Sequence, residues 1–433
     1  MRKIFLIVSV LGMTLIFGSC KKSAESEFIY VKDGQFMMNE KPYYFVGTNF
    51  WYGAILASEG EGGNRERLMK ELDFMQSIGI NNLRILVGSD GDRGIQAKVE
   101  PTLQTAPGVY NDTILAGLDY LMMELGNRKM YAVLYLNNSW EWSGGYSMYL
   151  QWAGFGKAPV PAVDGWDTYM KFVRQFHQSD SAKALFANYV KDIVMRENRF
   201  TKKKYIDDPA IMSWQIGNEP RAFSDENKVP FEKWMIEVAG LIKSLDPNHM
   251  VSSGSEGSWG CENDLDLFER IHADKNFDYL NIHLWPYNWS WVKADSLMEN
   301  LPQARENTKK YIDEHLELGR KLRKPVVMEE FGFPRDGFKF SKETTTKARD
   351  SYYQFVFDMI KEDAAQKGIF AGCNFWGWGG FAKLPTDHIY WQKDDDYTGD
   401  PAQEQQGLNS VFATDQSTIE LIKTTNSILS SIK

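Results

Sequence analysis

Along this chain, short apolar runs rich in β-branched and aromatic residues alternate with longer stretches whose apolar positions recur every three or four residues. The first pattern predicts strands buried on both faces, and the second predicts amphipathic helices. Strands are expected at Tyr43–Gly47, Asn82–Val87, Tyr131–Leu136, Ile211–Gly217, Met250–Ser253, Tyr279–Leu284, Pro325–Phe331 and Ile369–Trp376. The helices that follow them are expected at Arg65–Ile78, Thr113–Gly126, Lys183–Arg196, Pro230–Leu245, Leu265–Ala273, Gln303–Leu322, Thr345–Gln366 and Thr418–Leu429. Uninterrupted alternation argues for a parallel sheet in one domain, and eight repeats of it argue for a closed (β/α)₈ barrel over residues 29–433. The competing fold, a doubly wound open sheet, wants a glycine-rich phosphate turn after an early strand. GSDGDRG at 88–94 lacks that form and opens no helix. The long segments after the second, third and eighth strands are expected as loops on the C-terminal face, where barrel enzymes place their sites.

The start of the chain reads differently. Met1-Arg2-Lys3 is basic, Ile4 to Phe17 is almost unbroken apolar sequence, and Gly18-Ser19 precede Cys20. The run is too short to span a bilayer and fits a secretory signal. It resembles a bacterial lipoprotein signal, which implies cleavage after residue 19 and lipidation of Cys20. Residues 20–28 then form a tether, and the chain meets the outer membrane, on its periplasmic or outer face, through the lipid anchor only. A plain signal peptide with an incidental cysteine is the alternative. Cys261 and Cys373 are the other two cysteines; they either pair or stay as buried thiols.

Composition narrows the partners. With 43% hydrophobic and 25% charged residues, wholesale disorder, collagen and a multi-span membrane protein are excluded. A net charge of −9 argues against a nucleic-acid partner. The six histidines are scattered, with no HExxH or CxxC, so no metal and no cofactor are expected. The 14 Trp are more telling, because many stand beside Gly, Asn or Pro instead of inside apolar runs. Flat rings that stack on sugars account for that placement. Trp51, Trp140, Trp285 and Trp376 are the stacking candidates, whereas Trp142, Trp259, Trp289, Trp291, Trp378 and Trp391 fit loop caps or outer subsites equally well.

Two carboxylates carry the chemistry. Glu219 follows the run IMSWQIG, and Glu330 ends VVMEE. In a barrel both reach the mouth from strand ends. Glycoside hydrolysis needs such a pair, one to protonate the leaving oxygen and one to meet the anomeric carbon from the other side. Strand alternation lets only one of Glu329 and Glu330 face the interior, so Glu330 is expected in the cleft and Glu329 toward the helices.

Several motifs then converge on one family. GTNFWY at 47–52, Arg84 in NNLRIL, LNNSWEWSGGY at 136–146, IGNEP at 216–220, NIHLWP at 281–286, EEFG at 329–332 and FWGWGG at 375–380 stand in order at strand ends. The chain resembles glycoside hydrolase family 5, and within it the endo-β-1,4-mannanases of fungi and plants. The resemblance implies a retaining enzyme that cuts internal bonds of β-mannan, glucomannan or galactomannan, with Glu219 as acid/base and Glu330 as nucleophile. It implies further that Asn218 bonds the 2-hydroxyl, that Arg84 and His283 stand beside the acids as part of the substrate-binding set, and that Trp376 is the platform under the sugar being cleaved. The family usually has Tyr two residues after that histidine, where this chain has Trp285, which can donate one hydrogen bond but accept none. Arg84 is expected to lower the pKa of Glu330, and Glu219 must hold a proton near neutral pH. Another β-glycanase, an exo-acting β-mannosidase and a non-catalytic glycan-binding lipoprotein remain as alternatives.

Overall fold

The computed structural model describes residues 28–432 apart from 92, 93, 95 and 96. The signal, the tether as far as residue 27 and Cys20 lie outside the described residues.

Eight parallel strands form the barrel: β1 (Phe45–Asn49), β2 (Asn82–Leu86), β3 (Tyr131–Tyr135), β4 (Ile211–Gln215), β5 (Met250–Ser252), β6 (Leu280–Leu284), β7 (Val326–Phe331) and β8 (Phe370–Phe375). The ladder runs β5-β4-β3-β2-β1-β8-β7-β6. β5 and β6 close the ring without a strand ladder. Asp278 N–H donates to Val251 O at 2.9 Å, Val251 N–H donates to Asp278 Oδ2 at 2.6 Å, and Ser253 Oγ donates to Asn281 Oδ1 at 3.0 Å. Side chains at this seam therefore do part of what backbone pairing does elsewhere.

The helices are α1 (Arg65–Ser77), α2 (Asp112–Arg128), α3 (Asp180–Val194), α4 (Lys228–Leu245), α5 (Leu265–Ala273), α6 (Leu301–Leu322), α7 (Lys347–Ala365) and α8 (Gln416–Leu429). Their starts are written in short polar side chains. Asn64 caps the Arg67 N–H of α1, Ser179 the Ala182 N–H of α3, and Asp264 the Leu267 N–H of α5. Each such cap contributes about 1 kcal/mol.

Two features depart from the sequence expectation. The first strand lies two residues later than expected, because Tyr43 and Tyr44 precede the ladder. Ahead of them, Tyr30–Lys32, Gln35–Met38 and Lys41–Pro42 make a small antiparallel sheet. Its first turn has positive φ at Asp33 (53°) and Gly34 (82°), and its second at Asn39 (50°) and Glu40 (61°). Paired positive φ is the type I′ geometry that matches strand twist. This sheet plugs the floor of the barrel. Phe36 and Ile29 pack on Phe45, Val133, Met212, Met250, Tyr279 and Val327.

The opposite face carries the long loops after β2, β3 and β8, as expected. The β3 loop folds into further helices, Gly145–Trp152, Pro161–Asp164 and Trp166–Val173. The β8 loop is held by buried polar groups. Arg349 donates to Phe333 O, Ser410 O and Leu408 O, Arg335 pairs with Asp415, and Asp400 accepts from the backbone N–H of Gly407 and Asn409.

Cys261 and Cys373 are both buried and unpaired.

Phe36→Ala should destabilise the fold by about 3–5 kcal/mol, since Phe36 is 1% exposed and stands edge-on to Tyr279 at 5.1 Å. Urea denaturation measures the loss; a change under 1 kcal/mol means the floor sheet is dispensable.

Candidate active site

The site is built on one buried cation. Arg84 leaves β2 wholly shielded from solvent and lies 4.5 Å over the ring of Tyr135. Its Nη1 donates to Glu330 Oε1 at 2.5 Å and to Asn49 Oδ1 at 3.1 Å, its Nη2 to Asn218 Oδ1 at 2.8 Å, and its Nε to Gln215 Oε1 at 2.7 Å. One guanidinium thus fixes side chains from β1, β4 and β7 and from the turn after β4. Only a planar fork of donors can hold that many acceptors in one geometry.

Glu219 and Glu330 face each other across this hub. His283 Nδ1 lies 3.0 Å from Glu219 Oε1 and 3.4 Å from Glu330 Oε2, and the three groups offer atoms all within 4.8 Å of one another. Both neighbours of Nδ1 are oxygens of the two acids. Burial holds the His283 pKa down to about 3. Glu219 has φ of 49°, in the left-handed region, which costs about 1–3 kcal/mol for a residue with a Cβ. The turn is fixed by Glu219 N–H donating to Gly254 O at 2.9 Å and Asn218 N–H to Asn137 O at 2.8 Å.

Two indoles complete the acids' environment. Trp140 Nε1 donates to Glu219 Oε2 at 2.5 Å. Trp285 Nε1 donates to Glu330 Oε2 at 3.3 Å, so the indole N–H reaches the second acid. Tyr287 is 38% exposed and packs on Phe338, away from the acids.

Burial raises the pKa of Glu219 above the usual carboxylate value, against the charges of Arg221 and Arg84 and the Trp140 hydrogen bond. The expected pull of Arg84 on Glu330 is present, together with that of His283. Burial outweighs both, and the negative Glu219 adds to it, so Glu330 is raised as well.

Three sequence expectations need correction. Glu329 does not turn toward the helices. The β6–β7 register shifts so that Ile282 faces Met328 and His283 faces Glu330, which leaves Glu329 as an extra residue. It points inside the barrel below Glu330, accepting from Tyr279 Oη at 2.9 Å and from Gln215 Nε2. Trp51 is not a stacking surface. It is 1% exposed, donates to Gly399 O, and backs Trp142 from behind the cleft wall. Arg84 and His283 are wholly buried, so they act through the acids instead of lining the sugar path.

The cleft is a cavity of about 590 Å³ that exposes Trp140, Trp285 and Trp376 together with Asn218, Glu219 and Glu330. Trp376 stands roughly perpendicular to Trp142 and Trp285. Residues not singled out from the sequence join them. Arg221 is held by a two-pronged pair with Glu256 (2.6 and 2.7 Å) and lies 5.1 Å over the Trp140 ring. Its position two residues after Glu219 was the available signal. Glu141, Gln403 and Glu404 also line the cavity, from loops without periodicity.

Eight strands bearing two facing acids in an aromatic-walled cleft define a glycoside hydrolase. The chain belongs to glycoside hydrolase family 5: the family described as "GH family 5 beta-mannosidase-like" matches residues 26–433. Mannan endo-1,4-beta-mannosidase 3 of Arabidopsis thaliana is 30% identical over 82% of this chain and 83% of its own length. Mannan endo-1,4-beta-mannosidase 4 of Solanum lycopersicum is 28% identical over 82% and 84%. Among solved structures, a family 5 mannosidase from Rhizomucor miehei aligns with a TM-score of 0.85 at 32% identity, covering 94% of this chain and 99% of that one. An endo-beta-1,4-mannanase from Thermotoga petrophila shares the fold, with a TM-score of 0.67 at 22% identity over 91% of this chain and 78% of that one.

Trp140→Phe removes a donor to ionised Glu219. Its pKa then rises, the acid keeps its proton to higher pH, and the alkaline limb of kcat/KM should move up. A pH–rate profile in which that limb stays or moves down contradicts this placement.

Proposed function

We propose that this chain hydrolyses the β-1,4-mannosidic bonds of mannan, glucomannan or galactomannan with retention of configuration. The observation that carries the mechanism is that one carboxyl oxygen of each acid lies within 4.8 Å of one of the other. Roughly 5–5.5 Å suits attack by the second carboxylate itself, whereas inversion needs about 6.5–9.5 Å to admit a water. The named activities of the plant and fungal relatives support the sugar, and a variant of the fungal mannosidase has been solved with mannosyl-fructose.

In the first step a Glu330 oxygen bonds to the anomeric carbon. The bond to the leaving sugar breaks, and Glu219 gives its proton to the departing oxygen. Arg84 and Trp285 hold Glu330 ready to attack. Forming the ester removes the negative charge of Glu330, so Glu219, now ionised, can take a proton from water. That water attacks the anomeric carbon and releases Glu330. Asn218, oriented by Arg84, bonds the 2-hydroxyl, and Trp376 supports the ring face.

Cleavage of internal bonds is supported by the names of the plant relatives. A second reading, cleavage at a chain end, is favoured by Glu141, Gln403 and Glu404, which line the same cavity as Trp376 and hold oxygens without a hydrogen-bond partner. The signal-like start supports export and anchoring through Cys20, and Cys20→Ala should move the protein from the membrane to the soluble fraction on cell fractionation. Unchanged sedimentation with membranes removes the anchor.

Glu330→Ala should lower kcat on mannan by roughly 10³-fold or more while leaving the melting temperature close to wild type. Glu219→Ala should lose mannan hydrolysis but still show a burst of phenolate from an activated aryl β-mannoside, whose leaving group needs no acid. A Glu219→Ala enzyme equally dead on both substrates overturns the acid role.

A further inference from the structure

Glu329 is a carboxylate inside the barrel that the hydrolysis steps leave unused. It is 1% exposed and does not line the cleft. Regular strand alternation would turn the residue before Glu330 toward the helices. The bulge in β7 instead lets two consecutive acids face inward. Burying a second carboxyl beside the first is costly unless hydrogen bonds meet it, so its partners are the guide to its role.

Oε1 accepts from Tyr279 Oη at 2.9 Å, and that hydroxyl also meets Ser213 Oγ at 2.8 Å. Oε2 accepts from Gln215 Nε2. Gln215, wholly buried on β4, is the link to the site. Its Oε1 accepts from Arg84 Nε at 2.7 Å. An arginine N–H can only donate, so the amide oxygen must face it. The amide nitrogen is then turned away from Arg84, where Glu329 Oε2 and Ser252 Oγ, at 3.1 Å, accept from it. Flipped the other way, the amide would set its own N–H groups against the guanidinium. Arg84 Nε lies 3.9 Å from Glu329 Oε2, too far for a hydrogen bond, so the acid reaches the cation through the amide. The backbone of the same residue does likewise. Asn49 Nδ2 donates to Glu329 O at 2.8 Å, while Asn49 Oδ1 accepts from Arg84 Nη1.

On the hydrolase reading above, we infer that Glu329 is a positioning residue for the nucleophile: as an acceptor it fixes which way the Gln215 amide faces, the amide fixes the Nε edge of Arg84, and Arg84 fixes Glu330 and Asn218. The role needs an acceptor and not a charge. Burial holds Glu329 up at about 7, against the pull of Arg84, so below that pH the carboxyl is largely neutral and leaves the charge of Arg84 to Glu330. A neutral carboxyl still keeps a carbonyl oxygen for Gln215. With an apolar side chain at 329, the amide loses that partner and is free to turn, and the guanidinium loses a fixed edge.

Two variants separate acceptor from charge. Glu329→Met keeps the volume and removes the acceptor, whereas Glu329→Gln keeps an acceptor and removes the charge. On mannan and on an aryl β-mannoside, Glu329→Met should lower kcat about 100-fold with KM within about threefold of wild type. Its acid limb of kcat/KM should move to higher pH, because a nucleophile less firmly held by Arg84 keeps its proton to higher pH. Glu329→Gln should bring kcat to within about fivefold of wild type and return the acid limb to its place. A merely structural role would lower the melting temperature and leave that limb where it is. If Glu329→Met does not fold, Gln215→Leu breaks the same link and should give the same loss and the same shift. Wild-type kcat and acid limb in Glu329→Met, or Glu329→Gln as slow as Glu329→Met, overturns the positioning role and leaves mannan hydrolysis standing. Wild type that leaves mannan and the aryl β-mannoside intact overturns the mannoside reading, and the inference falls with it.

Discussion

The structure depends on a charge that has nowhere else to go. Arg84 sits inside the barrel with no access to water, and burying an unpaired guanidinium would cost several kcal/mol. Its acceptors are therefore obligatory, and they come from β1, β7, β4 and the turn after β4. Asn49, Gln215, Asn218 and Glu330 must converge for the fold to be stable, and converging them assembles the site. Folding and catalytic geometry are thus tied to one side chain. Lysine could not replace it, because a point charge cannot address four acceptors at fixed angles.

The same reasoning explains why both acids have raised pKa values. Two carboxylates and a neutral imidazole within 4.8 Å, in a cavity walled by indoles, cannot both be ionised cheaply. The strained backbone at Glu219 is maintained by hydrogen bonds to Gly254 and Asn137, so the energy of the fold, not of the substrate, positions the acid.

Much of this was readable in the sequence. Helix α5 runs over Leu265–Ala273 as the apolar spacing indicates, and both acids stand at strand ends where the motifs place them. Periodicity reports burial, and burial dominates a barrel. What it missed has physical reasons. The floor sheet carries an Asp33-Gly34 turn signal, but its strands are too short for alternation to register. Glu329 was turned the wrong way because a bulge adds one residue to β7, and alternation counting assumes none. Trp51 has the composition of a sugar platform, but a hydrogen bond to Gly399 commits it to the wall. Glu141, Gln403 and Glu404 lie in aperiodic loops, where only three-dimensional closure reveals them.

The floor sheet has an effect beyond filling the barrel. The described chain enters beside Ile29, under the ring, while the acids open on the opposite rim. The base of the barrel is thus taken up by the chain's own entry, and the rim that carries the acids is left free of it, so the cleft and the first described residues do not compete for one face.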